Sequence, residues 1–272
     1  MGGRSSYGKL GPDVEYGYGP GAGGYGEPCA GWERHDRAMR QGFLRKVLTI
    51  VFVQLLVTAG VCGAMAGIAP IRASVLGPQA GAWTLAMLAP LLFLVGTFVA
   101  QACTRCAAGG GGPVFDVLRA HPWNLVWLFA FTVLEGLSLG VLTTIVAASY
   151  GGSQAVLLAT LITVALVLGL LLFSLQTRID FTPYTGMGCG LLLCLICFGF
   201  IAAFFPPNNT VDLVYAGGGA LLFCFLLVVD LQLMMSGKRV QIGPDDYVLA
   251  AINIYLDIIN IFVHVLQLVQ SR

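Results

Sequence analysis

The chain has 272 residues, of which 57% are apolar and only 10% charged, with a formal net charge of +1. Soluble domains carry about 25% charged residues, so this composition excludes an ordinary water-soluble fold. The near-zero charge excludes a nucleic-acid binder. Length and apolarity together fit one membrane domain with a short polar tail.

The tail comes first. Residues 1–42 are rich in Gly, Tyr and Pro ("YGYGPGAGGYGEP") and lack the apolar core of a cleavable signal. They are expected to form a disordered cytosolic tail, ahead of a membrane domain over residues 43–272. The opening "MGGRSS" fits the N-myristoylation pattern, with Gly2 as acceptor.

Seven runs are long enough to cross a hydrocarbon core: Val47–Ala69, Ala82–Ala102, Trp123–Ala148, Ala155–Leu175, Thr185–Phe205, Leu213–Met235 and Tyr247–Val269. The expected fold is all-α: a polytopic bundle of seven transmembrane helices, since helices satisfy every backbone group internally. After the second run come Cys103, Cys106 and the Gly109–Gly112 run. Neither cysteine has a second pair at zinc-ligand spacing nearby. The glycines lack the Lys-Ser/Thr of a phosphate loop.

The third run carries Glu135, and its Gly136 and Gly140 are spaced to let helices approach closely. Cys194 and Cys197 lie inside the fifth run. Asn208-Asn209-Thr210 is a glycosylation sequon next to the sixth. That sixth run holds Gly217–Gly219 and Asp230. The acidic residues Asp245 and Asp246 precede the seventh, which carries Asp257. Lys and Arg near the run ends fall ten on one side and two on the other, which predicts a cytosolic N-terminus. Seven crossings then place the C-terminus on the opposite side, unless the polar seventh run is re-entrant.

Glu135, Asp230 and Asp257 are the informative residues. A charge at mid-bilayer costs roughly 2.5–3.5 kcal/mol on insertion scales, and no basic residue lies deep in any run. Asn253, Asp257, Asn260, His264 and Gln267 are spaced 4, 3, 4 and 3, which keeps them on one helix face. Such a stripe reads as the wall of a path. Asp230 and Asp257 are expected roughly 9 and 15 Å deep at 1.5 Å per residue, where packing of the sixth run against the seventh, antiparallel to it, would bring them together. Two carboxylates in a poor dielectric do not both ionise easily and tend to share a proton. Once deprotonated, they repel or accept a cation, and carboxylate and amide oxygens suit Ca²⁺. The residues alone therefore suggest a cation path gated by protonation, with Asp230 and Asp257 as the Ca²⁺ ligands and no resident cofactor.

The segments "GFLRKVLTIVFVQLLVTAG", "LQTRIDFT", "GALLFCFLLVVDLQLMM" and "PDDYVLAAINIYLDIINIFVHVLQLV", together with "NLVWLFAFTVLEGLSLG" around Glu135, resemble the BAX inhibitor motif membrane proteins, Lifeguard branch. The resemblance covers about residues 42 to 270. It implies six helices around a central polar seventh, and residence in Golgi, ER or other endomembranes, with lysosome or plasma membrane as alternatives. It also implies a pH-dependent Ca²⁺ leak that lowers store content, and protection from apoptosis. The family's paired aspartates match Asp230 in "VVDLQ" and Asp257 in "YLDII", and its cytosolic acidic pair matches Asp245 and Asp246. Some bacterial relatives latch the sixth-helix aspartate with an arginine in the second helix. Here Ala82–Ala102 holds no charge, so a closed state must rely on the shared proton or on Glu135.

The alternative is a non-conducting adaptor whose tail and cytosolic loops bind apoptosis regulators of the BCL-2 type or Ca²⁺-release channels. An intramembrane aspartyl protease also needs two aspartates, but its YD and GxGD contexts are missing, so no enzyme is expected. A seven-helix receptor would place its N-terminus outside the cell, contrary to the charge bias.

Overall fold

The computed structural model describes residues 30–97, 122–149, 153–176, 179–202, 204–206, 208–236 and 247–271. The chain divides into two units, Met1–Arg37 and Ala38–Arg272. In the first, residues 30–37 are helical. The second holds the helices that follow. Among the described residues every regular element is helical.

Helix α1 runs Ala30–Gly67 and so begins upstream of residue 43, inside the stretch expected to be tail. Residues 32–41 contain neither Gly nor Pro, so nothing there breaks the helix. Residues 1–29 of that tail, with Gly2, lie outside the described residues. α1 stops before Ile68, which is extended, and α2 (Ala69–Leu76) starts with Pro near its first position.

The expected second span is interrupted. α3 covers Ala80–Ala86, residues 87–88 form a turn, and residues 89–97 are helical again. Pro90 lacks the N–H that would bond the carbonyl one turn back, so the helix breaks just before it. Residues 98–102 of that span lie outside the described residues, as do Cys103, Cys106 and Gly109–Gly112.

Five long helices follow: α4 (Trp123–Ser149), α5 (Ser153–Gln176), α6 (Thr185–Ala202, entered through a 3₁₀ turn at Thr182–Tyr184), α7 (Asn209–Ser236) and α8 (Tyr247–Gln270). Asn208 starts α7 with its side-chain oxygen accepting the Thr210 amide at 3.0 Å. With the Gly42–Gly67 part of α1, these make six helices among the described residues long and apolar enough to span a bilayer. Their outer faces carry exposed residues such as Leu161, Leu221 and Phe200, as expected where lipid is the solvent.

Small residues set the packing. A Cβ on Gly136 would press on Val61 at 3.3 Å, and one on Gly140 would overlap the Met65 side chain. The GxxxG of α4 therefore lets α1 lie close against it, as the spacing predicted. Successive contacts climb together along both helices: Gln54 bonds Thr132, Val61 meets Gly136 and Met65 meets Gly140. α1 and α4 are thus parallel. α8 follows the same direction, with Tyr247 bonded to Asn124 and Tyr255 to Thr58. α7 runs the other way, with Gly219 against His264 and Gly217 facing Leu268. α8 is the most enclosed span: 67% of its most apolar window is buried, against 6–39% for the other five.

Candidate functional site

α8 carries the polar stripe, and its surroundings divide that stripe. Asp257 and His264 are buried, Asn260 is half-buried, and Asn253 and Gln267 at the two ends are exposed. The intervening isoleucines Ile252, Ile254, Ile258, Ile259 and Ile261 are all buried. The middle of the stripe is therefore packed in among neighbouring helices with the isoleucines, and only its two ends are open.

Asp257 is 7% exposed, and its Oδ2 has no hydrogen-bond partner among the described residues. An unpartnered polar atom in a dry interior is costly. His264 lies between the rings of Tyr215 and Phe223 on α7, at 5.6 and 5.5 Å. Only a glycine at 219 leaves room for the imidazole. His264 Nδ1 lies 2.8 Å from the Asn260 carbonyl, so that nitrogen carries the proton and donates it. This leaves Nε2 as a lone pair, also without a partner among the described residues. Asn260 in turn donates to the Leu256 carbonyl at 2.8 Å.

Asp230 is half-buried on α7. The antiparallel register fixed at Gly217 and Gly219 puts it within about one helical turn of Asp257 along the axis. Asp230 shares a face of α7 with Gly219 and Phe223, which meet His264 of α8, so it lies on the side of α7 that faces α8. Glu135 sits elsewhere. It is half-buried on α4, one turn on from Phe131, whose ring meets Tyr255; Tyr255 lies about 160° around α8 from Asp257. Among the described residues no group of three or more His, Cys, Asp or Glu side chains forms a metal cluster. Asp245 and Asp246 fall outside the described residues. Cys194 and Cys197 lie exposed on α6.

A second polar layer was not singled out from the sequence. Tyr255, completely buried, bonds Thr58 hydroxyl to hydroxyl at 2.8 Å. Thr58 itself donates to the Gln54 carbonyl at 2.9 Å, so the Tyr255 hydroxyl is the donor between the two. The Gln54 side chain donates to Thr132 at 3.0 Å, and Thr132 to the Leu128 carbonyl at 2.8 Å. At the same end of the bundle as Lys46, the Lys46 ammonium sits 3.4 Å over the Tyr247 ring. The clue was Gln54 and Thr58, two polar residues at i, i+4 inside an apolar span. α8 therefore has two polar faces: one toward α1 and α4, bridged by side-chain hydrogen bonds although Gln54 Oε1 and Asn124 Oδ1 have no partner among the described residues, and one toward α7, where Asp257 Oδ2 and His264 Nε2 have none. A crevice of about 390 Å³ between α5, α7 and α8 is lined by apolar residues such as Ile162, Leu221 and Leu268, and none of the carboxylates lines it.

Chemically, a buried carboxylate with an open oxygen does one of two things. Protonated, it is neutral and tolerates the dry site. Ionised beside a second carboxylate, it demands a cation.

These features define an all-helical polytopic membrane protein with carboxylates held inside its helix packing. A family profile described as inhibitor of apoptosis-promoting Bax1 matches residues 40–272. Protein lifeguard 3 of Homo sapiens is 33% identical over 264 residues, covering 94% of this chain and 78% of the relative. Protein lifeguard 4 of Mus musculus is 34% identical over 238 residues, 86% of each chain. The chain belongs to the BAX inhibitor motif family, and these relatives are of its Lifeguard branch.

Proposed function

We propose that this protein is a pH-sensitive Ca²⁺ leak path of Golgi or ER membranes that lowers store Ca²⁺ and restrains apoptosis, gated where Asp230 of α7 meets Asp257 of α8. The carrying observation is the Asp257 carboxylate, buried with an unpartnered oxygen on the face of α8 that carries His264, opposite the face of α7 that carries Gly219, Phe223 and Asp230. Protonation leaves the pair with at most one charge, so α7 stays packed against α8. Loss of that proton leaves two negative charges that either part or take up a divalent cation. Asn253, Asn260, His264 and Gln267 extend the polar surface along α8, with Asp245 and Asp246 as the acidic approach. Ca²⁺ is cargo, and no catalytic role or resident cofactor is assigned. Inhibition of apoptosis is the property that the family's description names.

We read the bundle as seven-spanning, with α8 its central helix. α1 and α4 are parallel, so the chain leaving α1 must recross the membrane before α4, within residues 68–122. The high burial of α8 supports its central place. The bias of Lys and Arg supports a cytosolic N-terminus.

The test is Ca²⁺ flux through purified protein in liposomes across neutral pH. Flux should rise as pH rises, because ionisation opens the pair. Asp230→Asn and Asp257→Asn should each abolish that dependence. A well-folded wild type that passes no Ca²⁺ would overturn the leak reading and leave an anti-apoptotic adaptor in its place.

A further inference from the structure

Gln232 lies two residues beyond Asp230, about 200° around α7, and so faces away from it. Its side chain is 6% exposed. The amide grips the connection between α5 and α6 from both sides. Nε2 donates to the Ile179 carbonyl at 2.9 Å, and Oε1 accepts the Phe181 amide at 2.7 Å. Only a side chain with a donor and an acceptor on one carbon matches this pair of backbone groups.

The connection it holds is itself braced. The Phe181 ring packs on Phe225 of α7 and Phe173 of α5, at 6.4 and 6.1 Å. Asp180 Oδ1 accepts from the Thr182 amide and hydroxyl at 3.0 and 2.6 Å. Thr182 is buried, and its carbonyl accepts from Thr185 at 2.7 Å. A helix gripped on one side by a braced segment is not free to turn about its axis. Fixing the rotation of α7 fixes the direction of the residue on its other side, which is Asp230.

We infer that Gln232 is the positioning residue for Asp230: its two-way amide clamp on the α5–α6 connection sets the rotation of α7 that turns Asp230 toward α8. The flux consequence rests on the leak reading above; the rotational role does not. Titratable groups among the described residues at this end of α7 are Asp257, Tyr255 and Tyr247 on α8, Glu135 on α4, Asp180 in the connection, and the exposed Arg45 and Lys46 on α1.

Met234 provides the readout. It is one turn beyond Asp230 on the same face and 8% exposed. The full-length chain carrying Met234→Cys, with its eight native cysteines replaced by alanine, is purified with and without Gln232→Leu and labelled with a water-soluble maleimide. Losing two hydrogen bonds should raise labelling of that face about tenfold or more, because a buried thiol reacts only when its surroundings open. In the Met234 chain, Gln232→Leu should also shift the pH midpoint of Ca²⁺ flux with both aspartates intact, and Gln232→Asn should leave an intermediate shift. Unchanged labelling in folded Gln232→Leu overturns the inference, whatever the flux does. If wild type carries no Ca²⁺, the leak reading fails and labelling alone still decides the clamp. If Gln232→Leu does not fold, Gln232→Glu takes its place. It keeps the acceptor, loses the donor when ionised, and is held to the same criterion.

Discussion

Thr58 of α1 and Tyr255 of α8 share a buried 2.8 Å hydroxyl–hydroxyl hydrogen bond across 197 residues of chain. Tyr255 also meets Phe131 of α4 edge to face at 6.3 Å. One side chain thus joins three helices. Tyr255→Phe should keep the ring packing and cost about 1 kcal/mol, the usual net value of one such bond. Tyr255→Ala should cost several times more, through loss of a large buried ring. Unfolding in SDS, followed by circular dichroism, distinguishes the two. Equal losses would mean that the hydroxyl, not the ring, carries the contact.

Gly219 gives way to the His264 ring. Gly219→Ala should destabilise by roughly 1–3 kcal/mol, as overpacking does. Adding His264→Ala should recover most of that loss, so the pair should be strongly non-additive in a double-mutant cycle. Simple additivity would place the strain elsewhere.

Asp257→Asn removes the charge and keeps the shape. Because Asp257 Oδ2 has no partner among the described residues, the variant should be at least as stable as wild type at neutral pH. Its Ca²⁺ flux should no longer respond to pH. A loss of several kcal/mol would instead mark Asp257 as one half of a structural pair.

Parallel α1 and α4 make a topological prediction. Arg45, Arg72 and Trp123 are exposed positions. In a chain whose eight native cysteines are replaced by alanine, single cysteines placed at 45 and 123 should be labelled by an impermeant reagent from the same side of sealed vesicles, and one at 72 from the other. Labelling of 72 and 123 from the same side would remove the crossing between α1 and α4.

Six of the seven expected spans were legible because each is a long apolar run, and the GxxxG of α4 because glycine spacing has one physical use in a membrane. The stripe on α8 was legible as a period. Its division into buried Asp257 and His264 and exposed Asn253 and Gln267 was not, since periodicity fixes a face and not what covers it. The break before Pro90 was present in the sequence but hidden by the hydrophobicity on both sides. Gln232 and Thr58 were illegible as partners: their bonds go to a connection and a helix far along the chain. Glu135 shares its chemistry with Asp230 and Asp257, yet sits on α4, one turn on from the Phe131 ring that meets Tyr255. Composition groups carboxylates that the packing separates.

The helix most enclosed by its neighbours is also made after them. At a synthesis rate of roughly 5–20 residues per second, Thr58 waits about 10–40 seconds for Tyr255 to emerge. Until then Gln54, Thr58, Thr132 and Asn124 line an interior without its core, and their polar groups are open to whatever surveys nascent membrane chains. The bundle closes only once α8 is in place, so a chain cut short before Tyr247 should be recognised as unfinished and removed rather than persist as a partial bundle.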